Sequence, residues 1–307
     1  MSPRALELFD LPKLPRYRET VITLDNRRAL TRGNPLRAES FISYLNPKQH
    51  IYTAIIENEK KEDFIGGIVQ RAKETSARLA YLAPANAPLA LIEHLTAHAG
   101  NWKARQVLAE IDENAPTFES LRRCGFAVYS HQQIWDLSKI AISTDATFCW
   151  RKIKDVDLIS IQSLQRKIIP PILQQVENFA NSSDVMVCEA DELMAYIDIT
   201  YGTQGIFLRP LIHPNIKNLR EKLLNFVAHL PSRRDRRVYI CLRSHQAWIG
   251  NTLEELGGEA GNRQAVMVKY LVKYVRDRKT VPVRGDKAWA SPAATIRGNS
   301  IVVEREE

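Results

Sequence analysis

From residue 19 onward the hydrophobic positions fall into short blocks. ETVITL (19–24) alternates as a strand does. IYTAIIE (51–57) and FIGGIVQRA (64–72) flank the charged turn ENEKKED as a hairpin, and RLAYLA (78–83) is a further strand stopped by Pro84. Gly66-Gly67 inside the hairpin predicts a bulge or a close backbone approach. From Pro88 the period changes. Apolar residues at 88, 91, 92, 95 and 99 share one helical stripe, begun by proline and ended by Gly100. The next stretch, RQVLAEIDENAPTFESLRRCGFAVYSHQQIWDL (105–137), reads as strand, short helix after the Asn114-Ala115-Pro116 turn, and longer strand. Residues 1–18 carry Pro3, Pro12 and Pro15 and are expected to be irregular, while 41–45 has a helix-like run.

The second half runs through the same order. A helix over 156–177 is broken at Pro170-Pro171, and 184–188 with 194–201 forms a hairpin. Strand 206–211, helix 219–230, strand 238–242, helix 247–256 and strand 264–271 follow. RQVLAEI (105–111) falls on RRVYICL (236–242) at a shift of 131, and HQQIWDL (131–137) on RQAVMVK (263–269) at 132. LAYLAP (79–84) parallels FLRPLIHP (207–214). Shared order and spacing of this kind predicts two copies of one mixed α/β domain, over 1–140 and 148–275, each a twisted mixed sheet flanked by helices. A flexible basic tail is expected over 276–307.

The order hairpin, strand, proline, helix, strand, N-x-P turn, helix, G-F, strand resembles the GNAT acetyltransferase superfamily. VLAEIDEN (107–114), LRRCGF (121–126) and YSHQQIW (129–135) carry the resemblance. It implies acetyl-CoA bound where two neighbouring parallel strands splay apart, and acyl transfer to a small-molecule or protein amine. The implied cofactor residues are Leu82 and Ala83 in the first half. In the second they are Arg209 and Leu211 on the strand, and His213, Lys217 and Arg220 around the start of the following helix. The chain departs from the family pattern in two places. The segments 84–95 and 213–224 contain no glycine to cradle a pyrophosphate, and the position of the family's tyrosine acid is Leu121 in one half and Leu253 in the other. A catalytically inactive tandem scaffold that binds a protein or small ligand therefore stands beside the acyltransferase reading.

Composition narrows the setting. A 45% hydrophobic and 25% charged chain is globular, and no run approaches the length of a membrane span. The four scattered cysteines predict free thiols in a reducing cytoplasm. The net charge of +8 permits anionic partners, but no basic stretch with interleaved aromatics marks a nucleic-acid face. Glu110 and Asp112 share one face of their strand, opposite Val107, Ala109 and Ile111. Either carboxylate is a candidate general base or an ordinary solvent-facing charge. His94 and His98, spaced i,i+4, are a candidate metal pair but lack an accompanying glutamate, so no metal site is assigned. Ser244 before the last helix is expected to cap it.

Overall fold

A computed structural model describes residues 2–37, 49–57, 62–72, 74–140, 149–177, 184–189, 192–231, 233 and 236–271. The helix-like run at 41–45 and the tail at 276–307 lie outside them. The first half contains β1 (Arg4–Ala5), a 3-10 segment (Leu8–Tyr17), β2 (Ile22–Thr23), α1 (Asn26–Arg32), β3 (Gln49–Glu57), β4 (Asp63–Arg71) and β5 (Ser76–Ala83). It continues with α2 (Leu89–Asn101), β6 (Gln106–Asp112), α3 (Pro116–Arg123) and β7 (Ala127–Asp136). The second half contains β8 (Trp150–Lys152), α4 (Asp157–Ile168), α5 (Pro171–Gln174), β9 (Val185–Glu189), β10 (Leu193–Tyr201) and β11 (Gly205–Ile212). After these come α6 (Leu219–Ala228), β12 (Arg237–Arg243), a 3-10 segment (Ser244–Ile249), α7 (Gly250–Glu255) and β13 (Glu259–Tyr270).

The strands join in one mixed sheet, in the order β1-β3-β4-β5-β6-β13-β7-β12-β11-β10-β9-β8, with β2 paired to β5 off this path. The long final strands of the halves are exchanged. β13 lies between β6 and β7 of the first half, and β7 pairs with β12 of the second. The register carries the sequence repeat. Arg243 faces Gln132 across β12 and β7, and Asp112 faces Gln264 across β6 and β13, the same pairing displaced by 131 and 132 residues. Gln132 and Gln264, equivalent under that shift, face each other, which places a local two-fold axis between them.

Each half buries the same face. On one side α2 and α3 cover β3–β6 and the end of β13 through Leu91, Ile92, Leu95 and Leu121; on the other α6 and α7 cover β9–β12 through Leu219, Leu223, Phe226 and Leu253. The glycine pair in β4 meets both expectations. The β4–β5 register shifts between Gly67 and Ile68, and a Cβ on Gly66 would stand 2.7 Å from the Leu95 side chain, so α2 rests on bare backbone. Helix α1 belongs to the first half in sequence but docks on the β10–β11 turn. Gln204 N–H donates to Thr31 O at 3.0 Å, and a Cβ on Gly205 would collide with Leu30 O.

The N-terminus departs from the expected irregular lead-in, because a short strand and a 3-10 turn can be built around proline where side chains satisfy the freed amides. Arg4 in β1 makes a bidentate pair with Asp10 (2.7 and 2.9 Å), and Asp10 also accepts from Glu7 N–H. Arg151 in β8 repeats the motif with Asp157, at the same 2.7 and 2.9 Å, and Lys154 N–H donates to it. RALELFD (4–10) and RKIKDVD (151–157) are therefore equivalent segments. Hydrogen bonds from Arg4 and Arg151 hold the two carboxyls down at about 2. A depressed carboxylate stabilises the fold above its unfolded pKa and loses that contribution as pH falls through its folded one. Acid unfolding is thus expected to take away about 1 kcal/mol per pair between pH 4 and 2, after allowance for solvent screening. Asp10→Asn with Asp157→Asn should flatten that limb in urea titrations at stepped pH, and an unchanged limb would refute the assignment.

Candidate functional site

The resemblance directs attention to the parallel strand pairs. β5 and β6 pair at Ser76–Gln106, Ala77–Val107 and Arg78–Leu108, and then separate. The gap beyond is filled by the chain itself. β2 runs antiparallel along β5, with Ile22 opposite Leu82 and Thr23 opposite Tyr81. Leu24 N–H then donates to Ala80 O and Glu110 N–H to Leu24 O, both at 2.9 Å, so residues 22–24 bridge the diverging strands. In the second half β11 and β12 pair from Gly205–Arg237 to Leu208–Ile240 and part there. The buried Gln246 amide takes both backbone groups of Ile212, accepting from its N–H at 2.8 Å and donating to its C=O at 3.1 Å.

This geometry, two parallel pairs that diverge at their C-terminal ends with a helix after each first strand, has known counterparts. A GCN5-related N-acetyltransferase from Sphaerobacter thermophilus superposes with a TM-score of 0.53 at 11% identity, covering 87% of this chain and 95% of that one. The fold is that of the GCN5-related N-acetyltransferases. An acetyltransferase-type structure from Pyrococcus horikoshii gives 0.51 at 11% identity, over 88% and 89% of the two chains. No protein-family model matches the chain, and no curated protein does. At this identity the GNAT likeness concerns the fold alone.

Where GNAT enzymes close backbone amides on the pyrophosphate, α2 begins after Pro88 with no side-chain cap and α6 begins after Asn218 at φ 55°. Lys217 and Arg220 are exposed at the start of α6, and His213 is half-buried with Nδ1 accepting from Asn215 N–H. Leu121 and Leu253, at the acid position, are fully buried in the two cores. Leu82 and Leu211 are core residues, and Ala83 sits at the end of β5. Backbone groups that an extended cofactor would need are thus taken by Leu24 and Gln246. The residues present do not fit acetyl-CoA in the family's manner.

On the sheet face opposite α2 and α3, charges from both halves meet around the local axis. Glu110 accepts from Arg78 at 3.2 Å and from the backbone and side chain of Asn26 at 3.1 and 3.2 Å, with Arg243 at 3.6 Å. Arg243 donates to Gln132, which donates to Gln264, which also accepts from Asn26. Beyond Arg243 come Glu177 at 2.8 Å, Arg209 at 3.6 Å from Glu177, and Asp198 at 3.3 Å from Arg209. Burial pushes the Glu177 carboxyl up, but the charges of Arg243 and Arg209 outweigh it and hold it below the usual range. Tyr129 donates its hydroxyl to Glu177 at 3.3 Å, and burial beside that carboxylate pushes the phenol well above its ordinary value.

Of the two strand carboxylates, Glu110 lies inside this network. Asp112 lies at the strand end, held by Asn114 N–H at 3.0 Å and by Asn262 at 2.8 Å, which lower its pKa. His94 and His98 are drawn into an aromatic stack: Tyr52 bonds His94 Nε2 at 2.8 Å and lies 3.6 Å from the His98 ring. Ser244 does not cap a helix. It opens a 3-10 segment and meets Ser130 Oγ at 3.3 Å, because Gln246 ties the turn to Ile212 and delays α-helical geometry to Gly250. The cysteines are free, with Cys149 and Cys188 sulfurs 3.0 Å apart.

Sequence reading did not find Arg27, Arg78 or Glu177, nor the partners of Arg243. Three of them carry a signal in hindsight. Arg78 and Arg243 are lone charges bounding apolar strands, and Asp25 with Gly33 is an N-cap and stop pair that marks α1 and so places Arg27.

Proposed function

We propose that the protein is a catalytically inactive tandem GNAT-fold binding protein, with copies at 1–140 and 148–275, in place of an acyl-CoA-dependent N-acyltransferase. The observation that supports this reading is the occupation of both strand gaps by the chain itself: Leu24 between β5 and β6, and Gln246 on Ile212. On this reading Leu82 and Ala83 serve the inserted segment, Arg209 serves the ion-pair chain, and Glu110 and Asp112 hold structure. No helix among the described residues is long and apolar enough to cross a membrane. Free cysteines favour a reducing cytoplasm.

One observation favours the acyltransferase alternative in the second half. His213, Lys217 and Arg220 surround the start of α6, where a phosphate of acetyl-CoA would sit. Titration calorimetry separates the two readings. Acetyl-CoA and CoA are expected to give no saturable heat up to millimolar ligand, and acetyl-CoA with a panel of amines no thiol release. Saturable binding accompanied by thiol release would establish the enzyme.

A further inference from the structure

On the charged face of the sheet the ion-pair chain borders a cleft of about 290 Å³, open to solvent on one side. Its wall combines both halves: Arg27 from α1, Arg78 from β5 and Glu74 before it, Gln165 from α4, Glu177 after α5, and Arg209 from β11. Of the three arginines, Arg78 faces Glu110 at 3.2 Å and Arg209 faces Asp198 at 3.3 Å. Arg27 is less well matched. It is nine-tenths buried, and its nearest carboxylate in an ion pair is Glu74 at 4.0 Å, the outer limit of such a contact. Two further donors at the wall, Arg78 Nε and Gln165 Nε2, are buried without a hydrogen-bond acceptor. A buried donor without a partner is costly, and two on one small cleft, beside the weakly paired Arg27, form a surface that an acceptor-rich ligand completes.

We infer that this cleft is a binding site for a small organic or inorganic anion, a carboxylate or a phosphate, held by Arg27 with Arg78 and Gln165. The inference deepens the binding-protein reading above by naming the ligand class. The cavity stands at the lower end of the roughly 300–1,000 Å³ usual for ligand pockets, which suits a metabolite-sized anion. Its electrostatics agree. Burial, with the neighbouring charges of Arg71 and Arg78, pushes the Arg27 guanidinium down to about 9 although Asp25 raises it, so its charge is only partly answered within the protein. A bound anion would supply that answer through charge-assisted hydrogen bonds in a partly desolvated setting. Neither half alone makes the site, since Arg27 and Arg78 come from the first copy and Gln165 from the second.

The test uses the full chain with inorganic phosphate and malonate as probes, at constant ionic strength set with chloride. Wild-type protein is expected to show saturable heat and a raised melting temperature with one probe or both, and which one responds distinguishes a phosphate ligand from a carboxylate. Arg27→Gln is expected to weaken binding about 10-fold or more, the loss of one charge-assisted bond. The ligand-free Arg27→Gln protein should melt at or above the wild-type temperature, because the substitution relieves a crowded cation; a purely structural arginine would give a marked fall. Absence of saturable heat with both probes at 10-millimolar order, or binding undiminished in Arg27→Gln, overturns the proposal. Those outcomes are independent of the acetyl-CoA titration, so the site and the inactive-fold reading can fail separately.

Discussion

Glu110→Ala is expected to lower the unfolding free energy by about 3–5 kcal/mol, the range for breaking a buried ion pair by removing one partner. Glu110 has two arginines within ion-pair distance, Arg78 at 3.2 Å and Arg243 at 3.6 Å, and accepts two bonds from Asn26. Alanine would leave two guanidinium groups facing each other in a region almost closed to water. It would also release the start of α1, whose Asn26 N–H has that carboxylate as its acceptor. Glu110→Gln keeps the shape and two acceptor sites' worth of contact but removes the charge, so an intermediate loss is expected. Urea unfolding followed by fluorescence gives both values. A general base would behave differently: the glutamine variant would keep full stability and lose only turnover. Equal stability of all three proteins would sink the structural role.

The fold was largely legible because hydrophobic periodicity survives even where family motifs do not. The strands at 51–57, 78–83, 107–111 and 238–242 and the helices after Pro88 and Pro116 all stand within a few residues of their expected ends, and the glycine pair marked the bulge. The 131- and 132-residue shifts, read from sequence as a repeat, return in the register of the sheet, where the equivalent Gln132 and Gln264 face each other. What sequence could not supply was partnership across distance. Lone charges such as Arg78, Asp198, Arg209 and Arg243 announce that a buried partner exists, since an isolated buried charge is prohibitively costly. They do not say which. Glu110 meets Asn26 from 84 positions away because residues 22–24 run beside β6, and Arg243 from 133 because β7 and β13 are exchanged. The N-terminal turn was misread for a related reason. Its prolines suggest an irregular lead-in, while Arg4 and Asp10 tie it down through side chains whose spacing is visible only beside Arg151 and Asp157.

Leu24→Pro is expected to cost about 4 kcal/mol, and the way that cost divides is informative. Leu24 is only 1% exposed, in the core under α2, so truncation to alanine alone should cost about 3 kcal/mol through lost burial and the cavity left behind. Proline removes in addition the N–H that donates to Ala80 O, leaving a buried carbonyl unpaired in the gap between β5 and β6, for about 1 kcal/mol more. Comparing Leu24→Ala with Leu24→Pro by urea unfolding therefore isolates the ladder bond from the side chain. If proline is no worse than alanine, residues 22–24 are only packed beside the gap and do not close it. Thermal shifts with acetyl-CoA complete the argument. A gap that evolved as a cofactor slot would regain stability from ligand once the inserted segment is loosened, whereas one rebuilt around Leu24 gains nothing. The second outcome is expected, because α2 still begins without the glycine turn that would turn amides toward a pyrophosphate.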